Sequence, residues 1–180
     1  MLSANFLHGR RLSLRDGICA ATAFALLAAG GATSGQAATA TTTFAVTATV
    51  LSGCAVVATD LIFGNYSSIA AAPTDTTSTV TATCTAGVAY TIAADAGTGV
   101  GATVAARSMT GIVTGGTLNY LMYSNAGHTT LWGDGTLTTA TVGGTAALVP
   151  QNYTIYGRAP ALQHPAAGLY ADLVTVTLTF

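Results

Sequence analysis

The chain has 180 residues, only 6% of them charged, and it contains neither lysine nor glutamate. After residue 37 two arginines, Arg107 and Arg158, face five aspartates, Asp60, Asp75, Asp95, Asp134 and Asp172, for a net charge of −3. That balance leaves no basic patch to track a phosphate backbone and excludes nucleic acid as a partner, so the polar surface must come from Thr, Ser, Asn and Gly.

At the N-terminus Arg10, Arg11 and Arg15 precede the apolar run "ICAATAFALLAA", which is too short to span a bilayer and reads as a secretory signal peptide over residues 1–37. The small-residue stretch "GGATSGQAATA" offers cleavage after Ala37, with Ala40 as the alternative. Arg10-Arg11 followed by "LSLR" also resembles a twin-arginine export signal. A disulfide-bearing protein of non-local strands would cross unfolded more naturally, which favours the general secretory route. About 143 residues remain, enough for one domain with an ordinary core.

Residues 38–51 form the next unit. In "TTTFAVTATVLSGC" the side chains of Phe44, Val46, Ala48 and Val50 fall on one face, and Thr43, Ala45, Thr47 and Thr49 fall on the other. That is the period of a half-buried strand starting almost at a free end, able to pair with its own domain or with another molecule. Cys19 leaves with the signal peptide, so Cys54 and Cys84 remain, and in an exported protein they predict one disulfide. A metal site would need more ligands than His128 and His164 supply, and none is expected.

Residues 52–180 are a series of short strand-like runs between turns. "LIFGNY" is followed by a predicted loop, "AAAPTDTTS", and then by "TVTATC", where Val80, Ala82 and Cys84 alternate with Thr. "VAYTIAA" puts Val88, Tyr90, Ile92 and Ala94 on one face before "DAGTGVG" turns the chain. "LNYLMYS" is apolar on both faces, and "NAGHTTLWGDG" carries two turn signals around a short strand. "TATV", "QNYTIYGRA" and "DLVTVTLTF" follow, the last with Val174, Val176, Leu178 and Phe180 on one face. No helical period extends beyond two turns, so the pattern predicts an all-β sandwich of immunoglobulin-like size.

Catalysis finds no support in these residues. His128, His164, Asp134 and Asp95 fit no Gly-x-Ser-x-Gly elbow, His-Glu-x-x-His pair or carboxylate pair, and Asp134 in "WGDG" reads as a turn residue. No cofactor is expected. A free-standing secreted coat or carbohydrate-binding protein is the alternative class, with Trp132, Tyr120, Tyr123, Tyr153 and Tyr156 as a sugar site, although aromatics in sandwiches are more often core.

The segments "SGCAVVA", "LIFGNY", "TVTATCTAG", "RSMTG", "LNYLMYS", "LWGDG", "YTIYGRAPA" and "GLYADLVTVTLTF" occur in the order and spacing of the spore coat protein U domain, the family of Csu-type fimbrial subunits, and the chain resembles that family over 44–180. The resemblance implies a subunit of an archaic chaperone-usher pilus, an incomplete immunoglobulin-like β-sandwich completed by a donor strand from a neighbouring subunit. It implies a periplasmic chaperone and an outer-membrane usher as partners, polymerisation with itself or related pilins, and export through the periplasm to the cell surface. Phe44, Val46, Ala48 and Val50 would be the donor face. Val174, Val176, Leu178 and Phe180 would form the C-terminal strand beside the groove and chaperone. A patterned N-terminal strand and the absence of room for an extra binding domain point to a shaft subunit serving adhesion or biofilm formation.

Overall fold

The computed structural model describes residues 37–180. The expected signal peptide lies outside the described residues, apart from Ala37. The chain divides into two units, Met1–Val46 and Thr47–Phe180. In the first, the described residues form no helix or strand and are exposed.

The second unit contains nine strands and, among the described residues, no helix: β1 (Cys54–Ala58), β2 (Thr74–Cys84), β3 (Ala89–Ala94), β4 (Arg107–Gly111), β5 (Thr117–Tyr123), β6 (Val142–Thr145), β7 (Gln151–Ala159), β8 (Tyr170–Ala171) and β9 (Val176–Thr179). They make a six-stranded sheet in the order β1-β2-β7-β5-β4-β8 and a three-stranded sheet in the order β6-β3-β9. Every pairing between these strands is antiparallel. The fold is therefore the all-β sandwich that the alternation predicts.

Alternation also decides the core. Val80, Ala82, Tyr120, Met122 and Ile155 project from the larger sheet, and Tyr90, Ile92 and Ala94 from the smaller, into one buried cluster. Trp132 lies inside it, 2% exposed, with its indole N–H donating to the Ile92 carbonyl at 3.3 Å. A Trp pays its desolvation back in this position only because that N–H has an acceptor.

Four details differ from the sequence reading. "LIFGNY" alternates like a strand, yet residues 61–66 are in no ladder. The predicted loop "AAAPTDTTS" already contains the start of β2, because Thr74–Ser78 pair with β7 from Thr74↔Ala159 onward. Asp75 and Arg158 are register partners there, and their bidentate contact at 2.7 Å compensates for low strand propensity at Asp75. In β5 only one face is buried, through Leu118, Tyr120 and Met122, while Asn119 is exposed. "TATV" contributes only Val142 to β6.

Cys54 and Cys84 are bonded and form the first register pair of β1 with β2. The bond closes a separation of 30 residues, which should stabilise the fold by about 3–4 kcal/mol in the chain-entropy model. Non-reducing mass spectrometry should therefore show the two cysteine peptides linked, and reduction should lower the unfolding free energy measured in urea by that amount. Two free thiols in protein purified under non-reducing conditions would contradict the pairing.

Candidate functional site

A groove of about 1140 Å³ opens along the second unit. Its floor is apolar core, including Val80, Leu118, Tyr120, Met122 and Ile155. One wall is the segment after β1, residues 58–66, and the other is residues 165–176, which cross from β8 at the edge of the larger sheet to β9 at the edge of the smaller.

Both walls are strand-like and incompletely paired. Leu61 and Phe63 are half-buried while Ile62 is exposed, the alternation of a strand face. Among the described residues, the backbone of residues 60–65 makes no hydrogen bond to another segment. Close approach of this wall is built into the sequence, since a Cβ at Gly157 of β7 would meet Leu61 Cδ2 at 2.7 Å. Opposite, among the described residues β9 pairs only with β3, so its second edge has no ladder partner, with β1 packed nearby. An apolar trough between two unpaired backbone edges is the geometry that a single added strand satisfies.

The sequence-predicted residues distribute accordingly. Val174 and Val176 line the groove, and both pack on the core with Leu178. Phe180 is exposed instead, lying one residue past β9. Phe44, Val46 and Val50 are 85%, 83% and 82% exposed, Ala48 is exposed too, and residues 41–51 are in no ladder of this chain.

The aromatic and polar residues do not converge on a second site. Trp132 and Tyr120 are buried, Tyr153 shares a hydrogen bond with Tyr90 at 2.9 Å, and Tyr123 and Tyr156 flank His128 edge-on. Burial, then the Tyr90 bond, pushes the Tyr153 phenol up to about 12. Asp134 accepts from Thr136 N and Oγ1 at 2.9 and 2.6 Å, as a turn residue does.

What sequence reasoning missed is the corner that holds the second wall. Asp95 Oδ1 accepts from the amides of Gly97 and Thr175, both at 2.9 Å, and Asp95 N donates to Thr175 O at 3.1 Å. Behind it Arg107, 1% exposed, donates to the carbonyls of Ala94, Asp95, Val104 and Trp132. Burial pushes the Arg107 pKa down, opposed by Tyr120 and by Asp95, Asp172 and Asp134. The motif "RSMTG" was visible in the sequence, but no periodicity announces that its arginine points inward.

Burial pushes the Asp95 pKa up, but the Thr175 and Gly97 amides outweigh it and leave the carboxyl below its ordinary value. A depressed carboxyl stabilises the fold above its unfolded value, about pH 4, and that contribution is lost as pH falls through the folded value. The urea midpoint should therefore hold steady from neutral pH to about pH 5 and drop below about pH 4. Asp95→Asn should lower the neutral midpoint and flatten part of the acid decline. An acid decline as steep as that of the wild type would show that Asp95 is not its source.

Comparison with known proteins agrees with this geometry. The Spore Coat Protein U domain model matches residues 40–177. Among solved structures, the chain is similar to a chain in the crystal structure of the CsuC-CsuE chaperone-tip adhesion subunit pre-assembly complex from archaic chaperone-usher Csu pili of Acinetobacter baumannii. The TM-score is 0.52 at 23% identity, over 73% of this chain and 41% of that one, so the likeness is one of fold and spans about two-fifths of that chain. A search of curated proteins returns no match. With an ordered sandwich and a family match across almost all of it, the chain belongs to the Spore Coat Protein U domain family.

Proposed function

We propose that this chain is a structural subunit of a chaperone-usher pilus, in which the groove of one copy accepts residues 44–51 of the next. The observation that carries the reading is the pairing of two incomplete features. The sandwich has an apolar trough with an unpaired backbone edge on each side, and the chain also carries an exposed segment with strand alternation.

Each supplies what the other lacks. Residues 44–51 would hydrogen-bond to residues 60–65 on one side and to β9 on the other, while Phe44, Val46, Ala48 and Val50 enter the trough. Burying Phe44, Val46 and Val50 contributes on the order of 5–9 kcal/mol gross, before ordering costs. Because donor and acceptor are different segments of the chain, the contact between copies is head-to-tail and does not close on itself, so the product is a filament.

A free subunit with this trough open would aggregate, which calls for a periplasmic chaperone that occupies the groove first and an outer-membrane usher where the strands are exchanged. The fold likeness to a chain of a chaperone-subunit pre-assembly complex supports the chaperone as a partner. Possession of a donor segment fits a shaft subunit of a surface fibre that serves adhesion or biofilm formation, exported by way of the leader over 1–37.

Two substitutions separate the ends of the chain. Val46→Asp places a carboxylate in the neighbour's apolar trough, at a cost of several kcal/mol. It should abolish the heat-resistant ladder of assembled fibres on gels while co-purification with the chaperone persists. Val176→Asp, on the inward face of β9, should abolish both. Ladders of normal length from Val46→Asp would rule out 44–51 as the donor, and loss of the chaperone as well would assign that segment to the subunit's own fold.

A further inference from the structure

One polar group in the groove floor is not explained by packing. Tyr120, on β5, is 4% exposed, and its ring meets the Phe63 ring edge-on with centroids 5.8 Å apart and planes at 65°. Phe63 belongs to the first wall. The Tyr120 hydroxyl donates to Asp172 Oδ2 at 2.6 Å, and Asp172 belongs to the second. A single side chain thus spans the floor and touches both walls. Burial, then the bond to Asp172, pushes the Tyr120 pKa well above its ordinary value, so the hydroxyl remains a donor.

Asp172 is the pivot of the second wall. It stands where the chain leaves β8 to cross toward β9, and residues 172–175 are in no ladder. Its Oδ1 faces away from Tyr120 and accepts from Thr98 N at 2.7 Å, Gly99 N at 3.0 Å, Thr98 Oγ1 at 3.1 Å and its neighbour Leu173 N at 2.8 Å. The turn is shaped for this carboxylate, because Gly97 has φ +79° and a Cβ there would overlap Asp172. One oxygen therefore fixes the wall to the turn outside, and the other fixes it to the floor inside.

We propose that the Phe63–Tyr120–Asp172 tie sets the width of the groove and so governs how tightly an inserted strand is retained, with Tyr120 and Asp172 as positioning residues. This rests on the strand-accepting role proposed above. A strand laid between two edges bonds to both only if they stand two ladder spacings apart, about 9.5 Å, and hydrogen bonds weaken steeply within a few tenths of an ångström of stretch. Without the hydroxyl, Asp172 Oδ2 is left against an apolar floor and is drawn outward to water. The wall follows, one ladder lengthens, and the strand leaves sooner.

The test uses fibres of the full chain incubated with an excess of fluorescent synthetic peptide of residues 38–51. Peptide incorporation reports the rate at which the resident strand leaves, and the near-ultraviolet signal of Trp132 reports the fold. Tyr120→Phe and Asp172→Asn should each exchange at least about tenfold faster than wild type, and the double variant no faster than the quicker single one, because both cut the same bond. Subunit unfolding should accelerate by much less than exchange. Phe63→Leu loosens the tie from the opposite wall and should also speed exchange, which keeps the measurement available if Tyr120→Phe fibres do not form. Exchange within about twofold of wild type, or acceleration matched by equal acceleration of unfolding, would overturn the inference while leaving the fibre intact. A wild-type chain that forms no fibres would contradict the strand-accepting role itself.

Discussion

Two backbone edges in this domain face each other across an apolar trough, and neither has a partner of its own. Residues 60–65 alternate like a strand without a ladder, and β9 is paired on one side only. Buried or half-buried backbone groups demand hydrogen bonds, and exposed apolar floor demands cover. One inserted strand answers both demands. Much of the remaining structure can be understood as holding these two edges at the separation such a strand needs.

The sparse charges serve that end. Arg158 is committed to Asp75 across β2 and β7, and Arg107 to four backbone carbonyls behind the corner that leads into β9. A buried guanidinium whose donors are all met stiffens the junction of β3, β4 and the Trp132 loop. Asp95 and Asp172 then fasten the crossing segment to the turn at 97–99. With Arg107 buried and Arg158 neutralised by Asp75 at the surface, the outer surface of the described residues presents Thr, Ser, Gly and carboxylates, a composition suited to contact between like copies rather than to polyanions.

Period-two alternation made much of the sandwich legible in the sequence. Tyr90, Ile92 and Ala94 are buried as "VAYTIAA" predicts, and Val80 and Ala82 as "TVTATC" predicts. The cysteine pair followed from count and compartment. The failures have a common cause, since alternation reports which face is apolar and says nothing about whether a ladder partner exists. "LIFGNY" has the right pattern and no partner, so it lines a groove. Phe180 continues the pattern of β9, but the ladder ends at Thr179 and its ring is exposed. Asp172, Asp95 and Arg107 were invisible because their roles depend on hydrogen bonds to segments distant in sequence, which no local pattern encodes.

The central claim is that the sandwich is one strand short and that residues 42–51 supply it. Moving those residues from the N-terminus to a flexible linker after Phe180 lets one chain fill its own groove, provided the linker allows the strand to run in the required direction. The melting temperature of this rearranged domain, compared with residues 52–180 alone, measures the claim directly. A gain of several kcal/mol on strand insertion predicts a soluble monomer melting at least about 10 °C higher. If residues 52–180 alone are already a monomer of equal melting temperature, the domain is complete and the account is wrong.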